Sequence, residues 1–269
     1  GWWVAAVMLT PAADRPYIGG STTNNILQLA FGYNGLGRLT GNETGSVGGG
    51  GGGGTGMWGA TGITRLFGSD MGSQISWLIP AALFLAIGSL WALRRATNDG
   101  PGQRSHAWLW LSWLVVTGVV FSFSKGIIHP YYTVALAPAV GALVGIGGVT
   151  LWRHREQLWS RVFMATTLLV TVLWSHHLLA ATPSWHPWLR MAIVTIGVAV
   201  AAGILAPPTW LRECLPHGGR AIAVGALVVA LAGPAAYSLD TASTAHTGAI
   251  PSAGPTVAGA GFAPGGNRG

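Results

Sequence analysis

The densest set of reactive side chains in this sequence is Ser124-Lys125-Gly126-Ile127-Ile128-His129-Pro130-Tyr131-Tyr132. An ammonium, an imidazole and two phenols fall together, flanked on both sides by apolar sequence. A cation held at that depth suits a lipid phosphate, and the helix start that Pro130 favours adds its own attraction for an anion. A plainer reading fits the same residues: a lysine snorkelling toward water beside an interfacial tyrosine pair.

Other groups offer less. The acids are Asp14, Glu43, Asp70, Asp99, Glu156, Glu213 and Asp240. Asp99, Glu156 and Glu213 stand beside arginines and read as solvated. Asp14 and Asp70 flank a long hydrophilic segment, where each can bind an acceptor or a cation, or simply cap a turn. Glu43 lies within Asn42-Glu43-Thr44, a weak match to a glycosylation sequon. No acid falls inside an apolar run, which argues against a proton-coupled transporter. His176 and His177 point about 100° apart on a helix, and His186 lies past its end, so no metal site is assigned. The sequence names no cofactor and leaves any divalent-metal requirement undetermined. The glycine run at 48–54 lacks a following G-K-[ST] and reads as a hinge, not a phosphate cradle. Cys214 is the one cysteine, which excludes an internal disulfide framework and a cysteine-based zinc finger.

The elements that must position these groups follow from composition. The chain has 269 residues, 50% hydrophobic and 8% charged, against roughly 25% charged in soluble domains. Its mean hydropathy is +0.48. An ordinary soluble enzyme is excluded. Six nearly uncharged runs, at 75–93, 107–123, 132–151, 162–181, 188–206 and 221–237, approach the length of a spanning helix. Backbone buried in lipid must bond to itself, so these runs are expected to be helices. The expected fold is an all-α membrane protein, a polytopic transmembrane helix bundle with an extracytoplasmic loop.

The domain organisation expected is as follows. Residues 1–9 are the end of a truncated transmembrane helix. Residues 10–74 form an extracytoplasmic loop with a Gly-rich insert, and 24–31 and 58–67 are amphipathic stretches suited to the membrane surface. Residues 75–238 form the six-span bundle, and 239–269 a disordered Gly/Pro/Ala-rich tail.

The net charge of +7 comes from basic residues that lie mostly at the edges of apolar runs. It therefore reports orientation, and no nucleic-acid partner is expected. Arg94, Arg95, Arg104, Arg153, Arg155, Arg161, Arg212 and Arg220 fall on alternate connections, which the positive-inside rule places in the cytoplasm. The loop at 10–74 and the C-terminal tail then lie outside a multi-pass cell-membrane protein.

Residues 16–21, Gly32-Tyr33-Asn34-Gly35-Leu36-Gly37-Arg38, Gln74-Ile75-Ser76-Trp77-Leu78-Ile79-Pro80 and 123–138 together carry a resemblance. The pattern K-G-x-x-H-P-Y-Y-x-x-x-x-x-P from Lys125 to Pro138 is the most specific part. The sequence resembles actinobacterial membrane glycosyltransferases similar to the protein O-mannosyltransferase and aminoarabinose-transferase family (glycosyltransferase family 39, GT-C fold). The match is better over about residues 1–150 than beyond. It implies transfer of a sugar from a polyprenyl-phosphate donor to an acceptor hydroxyl on a glycan, lipid or protein at the outer face. By matching position, Lys125 and His129 are candidates for the donor phosphate, with Arg15 and Tyr131 as further candidates.

The family's general-base Asp lies in its first external loop. Nothing between Gly1 and Gly269 matches that region, so no catalytic residue is assigned and the role is not moved onto Asp14 or Asp70. The sequence reads as a C-terminal fragment of such an enzyme, and purified residues 1–269 are expected to show no sugar transfer alone. The competing class is a non-enzymatic polytopic protein, a transporter or an assembly subunit. That class needs polar residues along a path through the spans, and Ser122, Ser124, Thr166, Thr167, Thr171 and Ser175 supply few.

Overall fold

A computed structural model describes residues 1–42, 59–95, 101–214, 217–245 and 252–255. The glycine run at 48–54, Glu43, Asp99 and the tail beyond 255 lie outside the described residues. The helices in order are α1 (Trp2–Leu9), α2 (Gly37–Thr40), α3 (Gly72–Ile75), α4 (Ile79–Arg95), α5 (Pro101–Phe123), α6 (Ala137–Arg153), α7 (Leu158–Ala180), α8 (Pro187–Leu205), α9 (Pro208–Cys214) and α10 (Gly218–Ser243). Short 3-10 turns lead into α4 and α6. The fold is an all-α polytopic membrane helix bundle.

Among the described residues, six helical stretches are long and apolar enough to cross a membrane: Gly72–Arg94, Gly102–Phe123, Pro130–Arg153, Leu158–Ala180, Pro187–Leu205 and Gly218–Ser243. All six overlap the runs read from the sequence. The first span gains a turn at its start, because α3 and the 3-10 turn after it run straight into α4. Proline opens α8 and sits in the first turn of α6, where its missing N–H costs nothing.

α4 is the central element and packs against α5, α6 and α7. The row continues from α7 to α8 and from α8 to α10. Two apolar cores result. One joins Ile79, Ala82 and Ala86 of α4 to Leu114 of α5, Leu136 just before α6, Leu143 within it, and Leu66 and Met71 of the loop before α3. The other joins Trp77 and Leu85 to α7, α8 and α10 through Leu168, Val172, Ile193, Val229 and Tyr237. Where α4 meets α6, a Cβ on Gly147 would lie 2.5 Å from Leu85 Cβ and 2.7 Å from the Leu85 carbonyl oxygen. Small residues admit this approach, which supplies the dispersion contacts that hold helices together in lipid.

The bundle has two chemically different ends. One carries the loop at 59–71 and the 124–132 turn, and is called here the loop-bearing end. The other carries the arginine-rich connections.

Two stretches of the loop have a finer structure than their apolar patterns convey. Residues 26–40 are helical, but Gln28–Leu36 is wound as a π-helix broken at Gly35 (φ −113°, ψ −115°). Residues 59–67 form no amphipathic surface helix. They make a turn ending in a 3-10 segment, Arg65–Phe67, with Arg65 and Leu66 buried. Bonds from this turn to the end of α5 prevail over its amphipathic pattern: the Gly62 N–H donates to Ser122 O at 2.8 Å.

The tail set at 239–269 begins as helix, since α10 runs to Ser243. Residues 252–255 return to the bundle. Gln74 reads the backbone of Ala253 from both sides, its amide nitrogen donating to Ala253 O at 3.2 Å and its amide oxygen accepting from Ala253 N at 2.7 Å. The Gly254 N–H donates to Thr241 Oγ1 at 2.7 Å. Gly254 has φ +76°, and any Cβ there would collide with the Tyr237 ring.

Gly147→Val should destabilise the bundle by about 1–3 kcal/mol through overpacking. Gly148→Val, one residue on where a Cβ meets nothing within 4 Å, should leave the melting temperature in detergent unchanged. Equal melting of the two variants would refute close α4–α6 packing.

Candidate functional site

The sequence from Lys125 to Tyr132 is forced into an open turn. α5 ends at Phe123, and His129 precedes a proline, which holds it extended (φ −97°, ψ 143°). Pro130 then starts the 3-10 turn Pro130–Leu136, locked by Thr133 Oγ1 donating to Pro130 O at 2.6 Å. An apolar turn between two spans would leave its peptide groups unsatisfied, and two neighbouring segments answer them.

The first is α2. The Lys125 N–H donates to Leu39 O at 3.2 Å and the Gly126 N–H to Arg38 O at 2.9 Å. Arg38 returns the interaction, its Nη1 donating to Ile127 O at 2.9 Å. The same guanidinium lies 4.5 Å from the centre of the Tyr33 ring, a cation–π contact. Arg38 and Tyr33 are both within electrostatic reach of the Tyr132 phenol.

The second is the buried turn at 62–67. Arg65 is only 7% exposed. Its Nη1 donates to Ser124 O at 2.6 Å and reaches Phe121 O at 3.4 Å. Burial pulls the Arg65 guanidinium below the usual arginine range, and the nearby Asp70 carboxylate opposes that shift. A guanidinium that bonds two carbonyls at the last turn of α5 also complements the negative end of that helix.

The aromatic groups form one stack. The His129 and Tyr131 rings lie parallel at 5.3 Å with 8° between planes. Tyr132 meets His129 edge-on at 5.4 Å and Tyr131 edge-on at 4.8 Å. The Lys125 side chain is exposed, Tyr131 is exposed, and His129 is half-buried. The turn thus carries an ammonium and an imidazole, with the Arg38 guanidinium bonded to its backbone at Ile127 O. Such a set can hold an anionic oxygen by charge-assisted hydrogen bonds.

Of the residues singled out from sequence, Lys125, His129 and Tyr131 share this turn. Arg15 is engaged elsewhere. Its Nε donates to Thr10 O at 2.7 Å, its Nη2 to Met8 O at 2.8 Å and its Nη1 to Asn24 O at 3.4 Å. It gathers the carbonyls at the end of α1 rather than joining the 125–132 turn. Arg38 and Arg65 are the residues that sequence reasoning left without a role. Arg38 had a visible signal, since it ends the Gly32–Gly37 run that carries part of the resemblance. Arg65 had none, because its partners are carbonyls 56 and 59 residues away.

His176 and His177 do not converge with other ligands. His177 stacks on Trp174 at 5.0 Å. Among the described residues, no three His, Cys, Asp or Glu side chains group as a metal site.

Two curated proteins of Bacillus subtilis (strain 168) are similar in sequence. One, named "Putative mannosyltransferase YycA", is 26% identical over 342 residues, covering 98% of this chain and 49% of that protein. The other, named "Putative mannosyltransferase YkcB", is 28% identical over 231 residues, covering 55% of this chain and 32% of that protein. The chain therefore spans about half the length, or less, of the curated relatives it matches. No family model and no solved structure matches it.

Arg65→Ala should cost about 1–3 kcal/mol, because Ser124 O loses its charged donor in a buried setting. Hydrogen exchange at residues 124–128 should quicken in that variant, and Arg65→Lys should restore part of the protection. Unchanged exchange in Arg65→Ala would show that the turn does not depend on Arg65.

Proposed function

We propose that this chain is the membrane part of a glycosyltransferase that moves a sugar from a polyprenyl-phosphate donor to an acceptor hydroxyl at the outer face. The similarity to two proteins named as mannosyltransferases supports the transferase class. The resemblance to the GT-C enzymes of glycosyltransferase family 39 supports the lipid-phosphate donor. The arginines gathered at the other end of the bundle support an outward-facing loop end.

One observation carries the site assignment: the paired backbone bonds that bring Arg38 onto the Lys125–Ile127 segment. Arg38, from a distant part of the sequence, is thereby bonded to the same turn that carries Lys125 and the stack of His129, Tyr131 and Tyr132, next to the start of a span. A donor whose prenyl chain lies in the bilayer carries its phosphate at that depth.

The reaction follows from ordinary displacement chemistry. The acceptor oxygen attacks the anomeric carbon, and the bond from that carbon to the phosphate oxygen breaks. The electron pair leaves with polyprenyl phosphate, which gains one negative charge. Lys125 and Arg38 stabilise that developing charge more than they stabilise the intact donor, which lowers the barrier. His129 donates a hydrogen bond to a phosphate oxygen, and Tyr131 fixes its ring plane. The acceptor's proton goes to a carboxylate base, a role given to no residue between Gly1 and Gly269. The acceptor is a glycan, lipid or protein hydroxyl.

In the enzyme as its gene encodes it, Lys125→Ala and Arg38→Ala should each lower turnover about 10²-fold, the effect of removing one preorganised donor. Melting should shift little for the exposed Lys125. His129→Ala should weaken donor use, measured as transfer from a polyprenyl-phosphate sugar. Normal turnover in the Lys125 and His129 variants would remove this turn from the donor site.

A further inference from the structure

We propose that a cleft at the arginine-bearing end binds the phosphate headgroup of an anionic phospholipid. Residues of α6, α7, α8, α9 and α10 line this cleft, with a volume of about 80 Å³, together with the connections after α6 and α8. Arg155 and Arg161 reach into it, and the described lining residues include no carboxylate. Met164, Ile204, Leu211 and Ile222 supply apolar wall.

The two arginines are held differently. Arg155 lies over Trp152, its guanidinium carbon 5.1 Å from the ring centre, with Nη1 donating to Trp152 O at 3.0 Å. Arg161 donates through Nη1 to Leu205 O at 2.8 Å, at the last turn of α8. Its Nε is buried and has no hydrogen-bond partner among the described residues. A buried guanidinium N–H left unmade costs free energy, and an anion in the cleft beside this guanidinium offsets that cost electrostatically. The acceptor this favours is anionic, because two arginines line the cleft and its described lining holds no carboxylate.

The walls decide between lipid and free phosphate. Met164, Ile204 and Ile222 belong to spans, so the apolar lining continues toward the hydrocarbon. A free phosphate would leave that surface uncovered, whereas a phospholipid lays an acyl chain against it. Trp210 of α9 is 53% exposed beside this cleft, the placement expected of an interfacial anchor at headgroup depth. Basic pockets between spans are known to take such headgroups. The inference is independent of the catalytic reading, since it involves the opposite end of the molecule.

Native mass spectrometry of the full chain in detergent tests it, with phosphatidylglycerol and phosphatidylcholine of equal chain length as probes. Phosphatidylglycerol should be retained in preference, and the Arg155→Ala/Arg161→Ala double variant should lose about tenfold in that retention. The Arg155→Lys/Arg161→Lys variant, which keeps the charge, should retain more than the alanine pair. Equal retention of the two lipids by the unaltered chain overturns the proposal, as does a preference that survives the double variant. If millimolar inorganic phosphate raises the melting temperature as much as phosphatidylglycerol does, the ligand is free phosphate and the lipid assignment fails. Should the alanine pair not fold, the comparison of the two lipids on the unaltered chain decides alone.

Discussion

A peptide group in hydrocarbon has no water to bond, so each must bond within its own helix. That requirement shapes this chain before any side chain is considered. It turns the apolar runs into helices and drives every break in the helical pattern to the two ends of the bundle. The breaks are where unsatisfied carbonyls and amides collect. Chemistry then follows: Arg65, Arg38, Gln74 and Arg161 each end on a backbone carbonyl at a helix terminus or turn. The polar residues of this protein are first of all repairs to interrupted helices, and the candidate site is built from the same repairs.

The 124–132 turn illustrates the point. Its shape is fixed from both sides by arginines, one buried and one beside an aromatic face. Arg65 holds the end of α5, and Arg38 holds the middle of the turn. Between them the Lys125 side chain is left facing outward and His129 is stacked in place. Preorganisation of this kind is what stabilises a charge at the moment it develops, because the donors need no rearrangement. The loop that precedes the first described span is thus part of the turn's architecture rather than a cover over it.

The sequence makes the spans plain and the site half-plain, for a physical reason. A span is a one-dimensional property, a run of apolar residues of sufficient length, so all six could be located from composition alone. Lys125, His129 and Tyr131 lie within one short segment, so their meeting was legible too. Arg65 and Gln74 were not, because each recognises main chain, and main chain has the same chemistry at every position. The π-helix in Gln28–Leu36 escaped for a related reason. Its apolar spacing near Ile26 and Phe31 fits an ordinary helix, and spacing alone does not distinguish the wider winding broken at Gly35. Residues 59–67 had an amphipathic pattern that pairing with α5 overrode.

The bond pair between Gln74 and Ala253 joins positions 179 residues apart. It makes the described chain behave as a noncovalent ring. The entropy of bringing two such distant points together is about (3/2)RT ln n, and the packed bundle has already met that cost. The two partners therefore face each other at high effective concentration, and weak hydrogen bonds suffice to keep the ring shut. Any motion that parts the start of the first described span from the 252–255 segment must open this clasp first. Residues as slight as a glutamine and a Gly-Pro pair can in this way set the stiffness of the rim where the loop-bearing end meets water.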